Sequence, residues 1–215
     1  MLRVLLAGIA LFALSGCALI PPAPEYVAPP APREFRAMWV ATVANIDWPS
    51  KPGLPVAVLR EEMQRILTTA RQLKLNAVIL QVRPAADAIY PSQFEPWSEY
   101  LSGRQGVAPG DGCDPLAEWV KAAHASGIEL HAWFNPYRAR HASAKSPLAA
   151  QHVANTHPQI VKTYGDMLWM DPGEEQAAAR TLAVIADVVR RYDVDGVHID
   201  DYFYPYPIKE TGDRA

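Results

Sequence analysis

Four segments of the chain are rich in apolar residues and short enough to be strands. They cover residues 35–43, 75–83 and 128–134, and a shorter run that begins at 195. The first three are almost continuously apolar, which is typical of strands that are covered on both faces in a parallel sheet. In the fourth, Val197 and Ile199 alternate with polar residues. His198 and Asp200 are therefore expected to share one face of that strand.

Between these strands, apolar residues recur every three or four positions, which is the period of an amphipathic helix. This pattern predicts helices over 58–74 and 174–192. A third helix is expected to begin after Asp114, whose side chain suits an N-cap, and to end at Gly127. A shorter helix is predicted near 147–155, inside an otherwise polar segment.

Strands that alternate with helices predict an α/β protein with a parallel sheet. An open doubly wound sheet and a (β/α)8 barrel both have this order. No glycine-rich phosphate-binding turn follows the first strand, and polar residues follow every strand, where barrel enzymes hold their active sites. Since a complete barrel needs eight strands, we expect the N-terminal half of a (β/α)8, TIM-like barrel, truncated after the fourth strand.

The start of the chain has the features of a targeting segment. Arg3 supplies a positive charge, and an apolar run over 4–14 follows it. The end of this run, Leu-Ser-Gly-Cys, resembles the lipobox of bacterial lipoproteins, which implies that Cys17 becomes the lipidated first residue. An ordinary cleaved signal peptide with an incidental cysteine is the alternative.

Three domains follow from this interpretation: a signal peptide over 1–16, the lipidated cysteine with a Pro- and Ala-rich tether over 17–32, and a partial catalytic domain over 33–215. A tether of this composition is expected to be semi-extended. The lipid anchor predicts attachment to a membrane of the cell envelope. Because Ala18 is not an aspartate, the lipobox resemblance favours the outer membrane, facing the periplasm.

Composition narrows the function further. The net charge of −3 is small, so the sequence predicts no nucleic-acid partner. Once Cys17 is lipidated, Cys113 is the only thiol of the 215 residues, which excludes an intramolecular disulfide and a cysteine-based metal site. We interpret Cys113 as structural, and the sequence predicts no cofactor.

Polar side chains gather across the ends of the predicted strands. They are Asp47, Gln81, Arg83, His131, Asn135, Arg138, His198, Asp200 and Asp201. Aromatic residues accompany them, among them Trp133, Tyr137 and Tyr202. Carboxylates in an aromatic cleft suit carbohydrate, because rings pack on the C–H faces of sugars and polar side chains bind the hydroxyls. Trp39 and Trp119, in contrast, are expected to be core or anchoring residues.

Four stretches of the chain resemble the glycosyl hydrolase-like 10 family, in the order that the family has them. They begin at Phe35 (FRAMWVAT), Asn76 (NAVILQVRP), His131 (HAWFNPYR) and Asp195 (DGVHIDDYFYP). The resemblance implies a bacterial cell-envelope protein, in many cases a lipoprotein, on a TIM-like barrel. It also implies glycoside hydrolase activity, in one branch on peptidoglycan strands stripped of their stem peptides. The sequence covers only the first half of the domain that the family implies.

Glycoside hydrolysis uses two carboxyl groups that flank the bond. The predicted catalytic residues are Asp200, as nucleophile or transition-state stabiliser or alternatively general acid, and Asp201, which alternatively orients Asp200 or binds a hydroxyl. The predicted substrate-binding residues are Arg83, His131, Trp133, Asn135, Tyr137, Arg138, His198 and Tyr202. The second carboxyl group is expected in the missing half, with Asp47 and Asp87 as weaker candidates. The 215-residue chain by itself is therefore expected to have little or no activity.

Two other functions stay open. A metal-dependent hydrolase would use His131, His198 and Asp200 as ligands, although the histidines lie on different strands and form no short-spaced pair. A non-catalytic lipoprotein would bind cell-wall glycan strands through the same cleft without cutting them. Asp200→Asn distinguishes these functions. The substitution should abolish turnover if the protein is a hydrolase, and it should preserve function in cells if the protein only binds glycan.

Overall fold

The computed structural model of this chain describes residues 34–110 and 112–207. The predicted signal peptide, Cys17 and the tether lie outside the described residues. The elements, in order, are β1 (Ala37–Val40), α1 (Val56–Gln72), β2 (Ala77–Arg83), α2 (Glu99–Ser102), α3 (Pro115–Ala125), β3 (Glu129–Phe134), β4 (Arg138–Arg140), α4 (Val153–Thr156), β5 (Val161–Tyr164), β6 (Met167–Met170), α5 (Glu175–Arg191) and β7 (Gly196–Ile199). Single 3-10 turns occur at Val43–Asn45 and Pro158–Ile160.

The four strands predicted from the apolar runs form one parallel sheet in the order β1-β2-β3-β7. Val40 lies beside Leu80, Leu80 beside Ala132, and Ala132 beside Val197. Each new strand is added at the same edge, whereas a doubly wound sheet reverses direction near its middle. This order is that of half a (β/α)8 barrel and confirms the predicted fold class.

The long helices begin and end close to the positions that the sequence predicts. In α3, the side chain of Asp114 accepts a hydrogen bond of 3.1 Å from the amide of Ala117, and Pro115 occupies the first turn. Gly127, just after the helix, has a φ of 69°, a left-handed conformation that glycine adopts at little cost. Local signals therefore set both ends of this helix.

The three long helices all pack on one face of the sheet. The side chains that they bury there include Leu67 of α1, Trp119 of α3 and Val184 of α5, in one cluster with Leu80 of β2 and Phe134 of β3. A buried aliphatic or aromatic side chain contributes about 1.5–3 kcal/mol, so this cluster is a main source of stability. Trp119 is fully buried, as predicted.

The opposite face of the sheet is covered only in part. Every residue of β2 is buried, whereas alternate residues of β3, the first three residues of β1 and all four residues of β7 are exposed or half-buried. Trp39 of β1 is 62% exposed, so its assignment to the core or to an anchor was wrong. The apolar run of β1 predicted that both faces of the sheet are covered, yet the helices cover only one face.

The segment after β3 forms a second, smaller sheet that the sequence did not predict. β4, β6 and β5 pair in that order and are antiparallel. A small buried cluster that includes Ala139, Val153, Ile160 and Met170 supports it. The predicted helix near 147–155 reduces to one turn, α4. These strands have three or four residues each, which is too short for a periodic pattern to be recognised.

The described residues include no helix that is both long enough and apolar enough to cross a membrane.

Candidate active site

A cleft of about 560 Å³ opens where the parallel strands end. Six of the predicted site residues line it, namely Trp133, Arg138, His198, Asp200, Asp201 and Tyr202. The strands of a half barrel are parallel and in sequential order, so their carboxyl ends meet at one edge. The cleft is therefore assembled from residues within the four strands and from the segments that follow β1, β3 and β7.

Three groups orient the carboxylate of Asp200. The indole Nε1 of Trp133 donates to Oδ2 over 3.0 Å, and Nδ2 of Asn135 lies 3.1 Å from Oδ1 and 3.0 Å from Oδ2. The amide N–H of Tyr202 donates to Oδ1 over 3.3 Å. Trp133 pairs with His198 across the β3–β7 ladder, so its side chain reaches Asp200, the residue that follows β7. Asp200 is thus the best-positioned carboxylate of the cleft.

Asn135 is itself held firmly. Its side chain is buried, and Oδ1 accepts a hydrogen bond of 2.7 Å from the amide of Arg138. Its backbone carbonyl accepts one of 2.6 Å from Nη1 of Arg83. With Oδ1 already used as an acceptor, Nδ2 is the end of the amide that faces Asp200.

Arg83 does not line the cleft, contrary to the prediction that it binds substrate. Its side chain is fully buried, with Nε 2.7 Å and Nη2 2.5 Å from the two carboxylate oxygens of Glu95. Nη1 donates to the carbonyls of Asn135 and Pro136. With these donors used, Arg83 supports the segment that carries Asn135.

His131 also lies away from Asp200. Its Nε2 is 3.0 Å from Oε2 of Glu129, at the start of β3, and its ring packs on Phe35 at 5.3 Å. A β-carbon at position 196 would collide with the His131 ring, which accounts for Gly196. About four residues of strand, roughly 13 Å, separate His131 from the level of Asn135. The prediction that His131 binds substrate in this cleft is therefore wrong.

The three metal ligands suggested by the sequence are not brought together. Within residues 34–110 and 112–207, no group of three or more His, Cys, Asp or Glu side chains is placed to hold a metal ion. His198 packs against Trp39 at 5.5 Å and Trp133 at 6.0 Å, whereas His131 points to the other end of the strands. The ligand set of His131, His198 and Asp200 is therefore wrong, because side chains on the same face of a sheet can lie at different positions along their strands.

Tyr137 packs against Phe203 at 5.9 Å and on the small cluster under β4–β6, and it is not part of the cleft wall. Tyr202 does line the wall, where its ring lies 5.4 Å from the guanidinium carbon of Arg138. Of the two tyrosines singled out from the sequence, one therefore faces the cleft and the other anchors its edge.

Several residues of the cleft were not among the predicted binding residues. They are Trp39, Ala41, Val43, Ile46, Gln81, His141 and Ile199. Gln81 is buried, and its Oε1 accepts hydrogen bonds from the amides of Thr42 and Val43, which leaves Nε2 without a partner. The available signal was the position of Gln81, a polar residue two positions before the end of a largely apolar strand.

Comparison with known proteins shows which family this chain belongs to. The family model "Glycosyl hydrolase-like 10" matches residues 34–215. The chain belongs to this family. It is 48% identical over 186 residues to "Glycosyl hydrolase YngK" of Bacillus subtilis (strain 168), a match that covers 85% of this chain and 36% of that protein.

A second relative, "Glycosyl hydrolase DigH" of Escherichia coli (strain K12), is 36% identical over 186 residues, a match that covers 79% of this chain and 42% of that protein. The chain thus spans less than half the length of these two relatives. Among solved structures, α-L-fucosidase isoenzyme 2 from Paenibacillus thiaminolyticus superposes with a TM-score of 0.49 at 12% identity, over 78% of this chain and 23% of that one.

In the present chain, Asp47 and Asp87 were the weaker candidates for the second catalytic carboxyl group. Asp47 accepts a hydrogen bond of 2.8 Å from the amide of Ala41 and turns back toward its own strand. Asp87 is buried, and it accepts a hydrogen bond of 2.9 Å from the amide of Ala85. Neither lines the cleft, so their contacts give them structural roles.

Burial raises the pKa of Asp87 to about 7. Its pKa in an unfolded chain is about 3.9, so between about pH 4 and pH 7 the folded protein keeps a proton that the unfolded chain releases. Stability from this group is therefore complete at low pH and is lost as the pH rises toward 7. We expect Asp87→Asn to reduce this pH dependence by about 1 kcal/mol per pH unit.

The measurement is urea unfolding of both proteins at several pH values between 4.5 and 7.5. Asp166→Asn is the control, because Asp166 is an exposed aspartate. An unchanged slope in the Asp87→Asn protein would contradict a proton held on Asp87.

Proposed function

We propose that this protein is a glycoside hydrolase of the bacterial cell wall, with Asp200 in its active site. The proposed substrate is glycan, in particular peptidoglycan strands that lack stem peptides. The observation that carries the proposal is the oriented carboxylate of Asp200, held by Trp133 and Asn135 in an aromatic-walled cleft at the strand ends. Membership of a glycosyl hydrolase-like family supports the reaction class.

The proposed mechanism uses two carboxyl groups. Asp200, already oriented, either attacks the anomeric carbon as its bond to the leaving oxygen breaks, after which water hydrolyses the glycosyl ester, or stabilises the positive charge there while water attacks. A protonated carboxyl group gives its proton to the leaving oxygen. This acid is either Asp201, at the exposed edge of the cleft, or a group on the part of the relatives' length that this chain does not span. Trp39, Trp133 and Tyr202 would pack on the sugar rings.

The test uses the protein as its host makes it, with its intact mass measured first. That mass establishes whether the product corresponds to this chain or to a longer protein. The protein is then incubated with glycan strands freed of stem peptides, and new reducing ends are counted. Release of reducing ends supports the proposal. Binding of the strands without release would mean that the glycan-binding alternative is correct.

We also propose that Cys17 anchors the protein to the envelope, on the lipobox-like sequence before it. Cys17→Ser should abolish incorporation of a labelled fatty acid, and inhibition of the lipoprotein signal peptidase should make the uncleaved precursor of the unsubstituted protein accumulate. Cys113→Ser is the matched control, because Cys113 is the other cysteine of the chain. Equal labelling of the Cys17→Ser protein and the unsubstituted protein would rule out this anchor.

The proposed location is the outer membrane, facing the periplasm, and membrane fractionation of the labelled protein tests it. Labelled protein in the inner-membrane fraction would overturn this location and leave the anchor itself supported.

A further inference from the structure

We propose that Arg138 binds a carboxylate of the substrate, so that the cleft selects glycans whose sugars carry a free acid group. The inference rests on the proposed function and adds to it the chemistry by which one residue recognises its ligand. Four observations support it: the burial of Arg138, its lack of an ion pair, the rings beside it and its place in the cleft.

Arg138 is a buried cation without an ionic partner among the residues that the structure describes. Its side chain lines the cleft and the residue is only 8% exposed. The guanidinium donates one hydrogen bond, from Nη1 to the carbonyl of Pro84 over 3.2 Å. A guanidinium has several N–H donors, so most of them have no acceptor in this part of the chain. A buried charge without compensation is costly, and such a cost is commonly retained where the charge has a use.

Asp200 does not fill this role. Its two oxygens already accept hydrogen bonds from Trp133, Asn135 and the amide of Tyr202, and it forms no ion pair with Arg138 within the described residues. Burial lowers the pKa of Arg138, and the nearby charge of Asp200 opposes that effect. Asp200 therefore helps to keep Arg138 charged while leaving its donors available.

The surroundings of Arg138 favour a planar ligand. The ring centres of Trp169 and Tyr202 lie 5.8 Å and 5.4 Å from its guanidinium carbon, and Trp169 is fixed by a hydrogen bond of 2.8 Å to the carbonyl of Phe203. Rings beside a guanidinium attract the cation and leave its N–H edge available. That edge matches the two oxygens of a carboxylate.

A single carboxylate also suits the charge of the cleft better than a phosphate does. Asp200 and Asp201 both line the cleft, so a ligand with two negative charges would be repelled more strongly than a ligand with one. The ligand class is therefore a sugar with one carboxylate per ring.

Two kinds of glycan provide this group. A muramyl residue exposes its lactyl carboxylate only when no stem peptide is attached, because the peptide is joined to that carboxyl group as an amide. Uronic acids carry the carboxylate on the ring itself. Under the proposed cell-wall function the muramyl group is the expected source, and recognition by Arg138 gives a physical reason why strands without peptides would be preferred.

The experiment measures binding by calorimetry, with the protein as its host makes it. The ligands are a tetrasaccharide of alternating N-acetylglucosamine and N-acetylmuramic acid with free lactyl acids, the same tetrasaccharide with each acid converted to a methylamide, chitotetraose, and tetragalacturonate. We expect the free acid to bind about 10- to 100-fold more tightly than its methylamide, as hydrogen bonds to charged groups predict.

Arg138→Gln should reduce that ratio to about one, and Arg138→Lys should give an intermediate ratio, because it keeps the charge and loses the planar fork. Lys145→Gln is the matched control. Lys145 is exposed near Ser143 and Gly103 in a neighbouring cavity, so its loss removes the same charge from a surface outside the cleft. This control should keep the ratio of the unsubstituted protein.

Several outcomes would overturn the inference. They are an equal affinity of the unsubstituted protein for acid and methylamide, an unchanged ratio in both Arg138 variants, or an equal loss in Lys145→Gln. If the strands are cut but show no acid preference, this inference alone fails. If no saccharide binds, the proposed function fails with it. Tight binding of tetragalacturonate would keep carboxylate recognition and reject the muramyl group as its specific source.

Discussion

Asp200→Asn is expected to lower the release of reducing ends from glycan strands by about 10³-fold or more. An asparagine amide cannot act as a nucleophile or carry the negative charge that stabilises a developing oxocarbenium ion. The substitution keeps the size of the side chain, so Trp133 and Asn135 retain a neighbour of the same shape. Strand binding should therefore survive, and the measurement compares turnover with binding in the same preparation.

Two further variants are compared with Asp200→Asn, one as a control and one as a test of the neighbouring carboxylate. Asp193→Asn makes the same chemical change just before β7, at the opposite end of that strand from Asp200, and should leave turnover unchanged. Asp201→Asn tests the neighbouring carboxylate, and a loss comparable with that of Asp200→Asn is expected if Asp201 is the general acid. If Asp200→Asn retains turnover within tenfold of the unsubstituted protein, Asp200 is not catalytic and the proposed mechanism is wrong.

Glu95→Gln is expected to destabilise the fold by about 3–5 kcal/mol. The substitution removes the charge that compensates Arg83, whose buried guanidinium binds Glu95 through two nitrogens. Nε of Arg180 lies 3.8 Å from the same carboxylate, so a second cation loses part of its compensation. Because Arg83 also holds the carbonyl of Asn135, we expect the orientation of Asp200 to loosen as well. Urea unfolding measures the first effect.

Glu118→Gln is the matched control for that experiment. Glu118 also binds an arginine through two nitrogens, Nε and Nη2 of Arg60, at 2.8 and 2.6 Å. This pair lies at the surface, where water screens the charges, so its loss should change stability little or not at all. Equal effects of Glu95→Gln and Glu118→Gln would mean that burial does not determine the strength of the Arg83–Glu95 pair.

The parallel sheet and the helix boundaries could be predicted because they depend on local signals. The apolar runs found all four strands of the sheet, and the N-cap at Asp114 and the glycine at 127 marked the two ends of α3. The small antiparallel sheet could not be predicted in this way. Its strands have three or four residues, and they are stabilised by pairing with one another and by the cluster around Ile160 and Met170.

The site was predicted in part, for a related reason. The period of two in β7 placed His198 and Asp200 on one face, and both line the cleft. The same argument does not give the level of a side chain along its strand, so it placed His131 with Asp200 although its ring lies near Glu129. It also does not show which charged residues are buried together, which is why Arg83 was taken for a binding residue.

By itself, the sequence determined the alternation of strands and helices, the end of the sheet at which polar residues gather, and the face on which Asp200 lies. These properties follow from backbone periodicity and from caps, which act over a few residues. Only the tertiary structure decided that Glu95 withdraws Arg83 from the cleft, that Trp39 is exposed, and that Arg138 is buried there without an ionic partner among the described residues. Burial and ion pairing depend on residues that are distant in sequence, so no local pattern contains them.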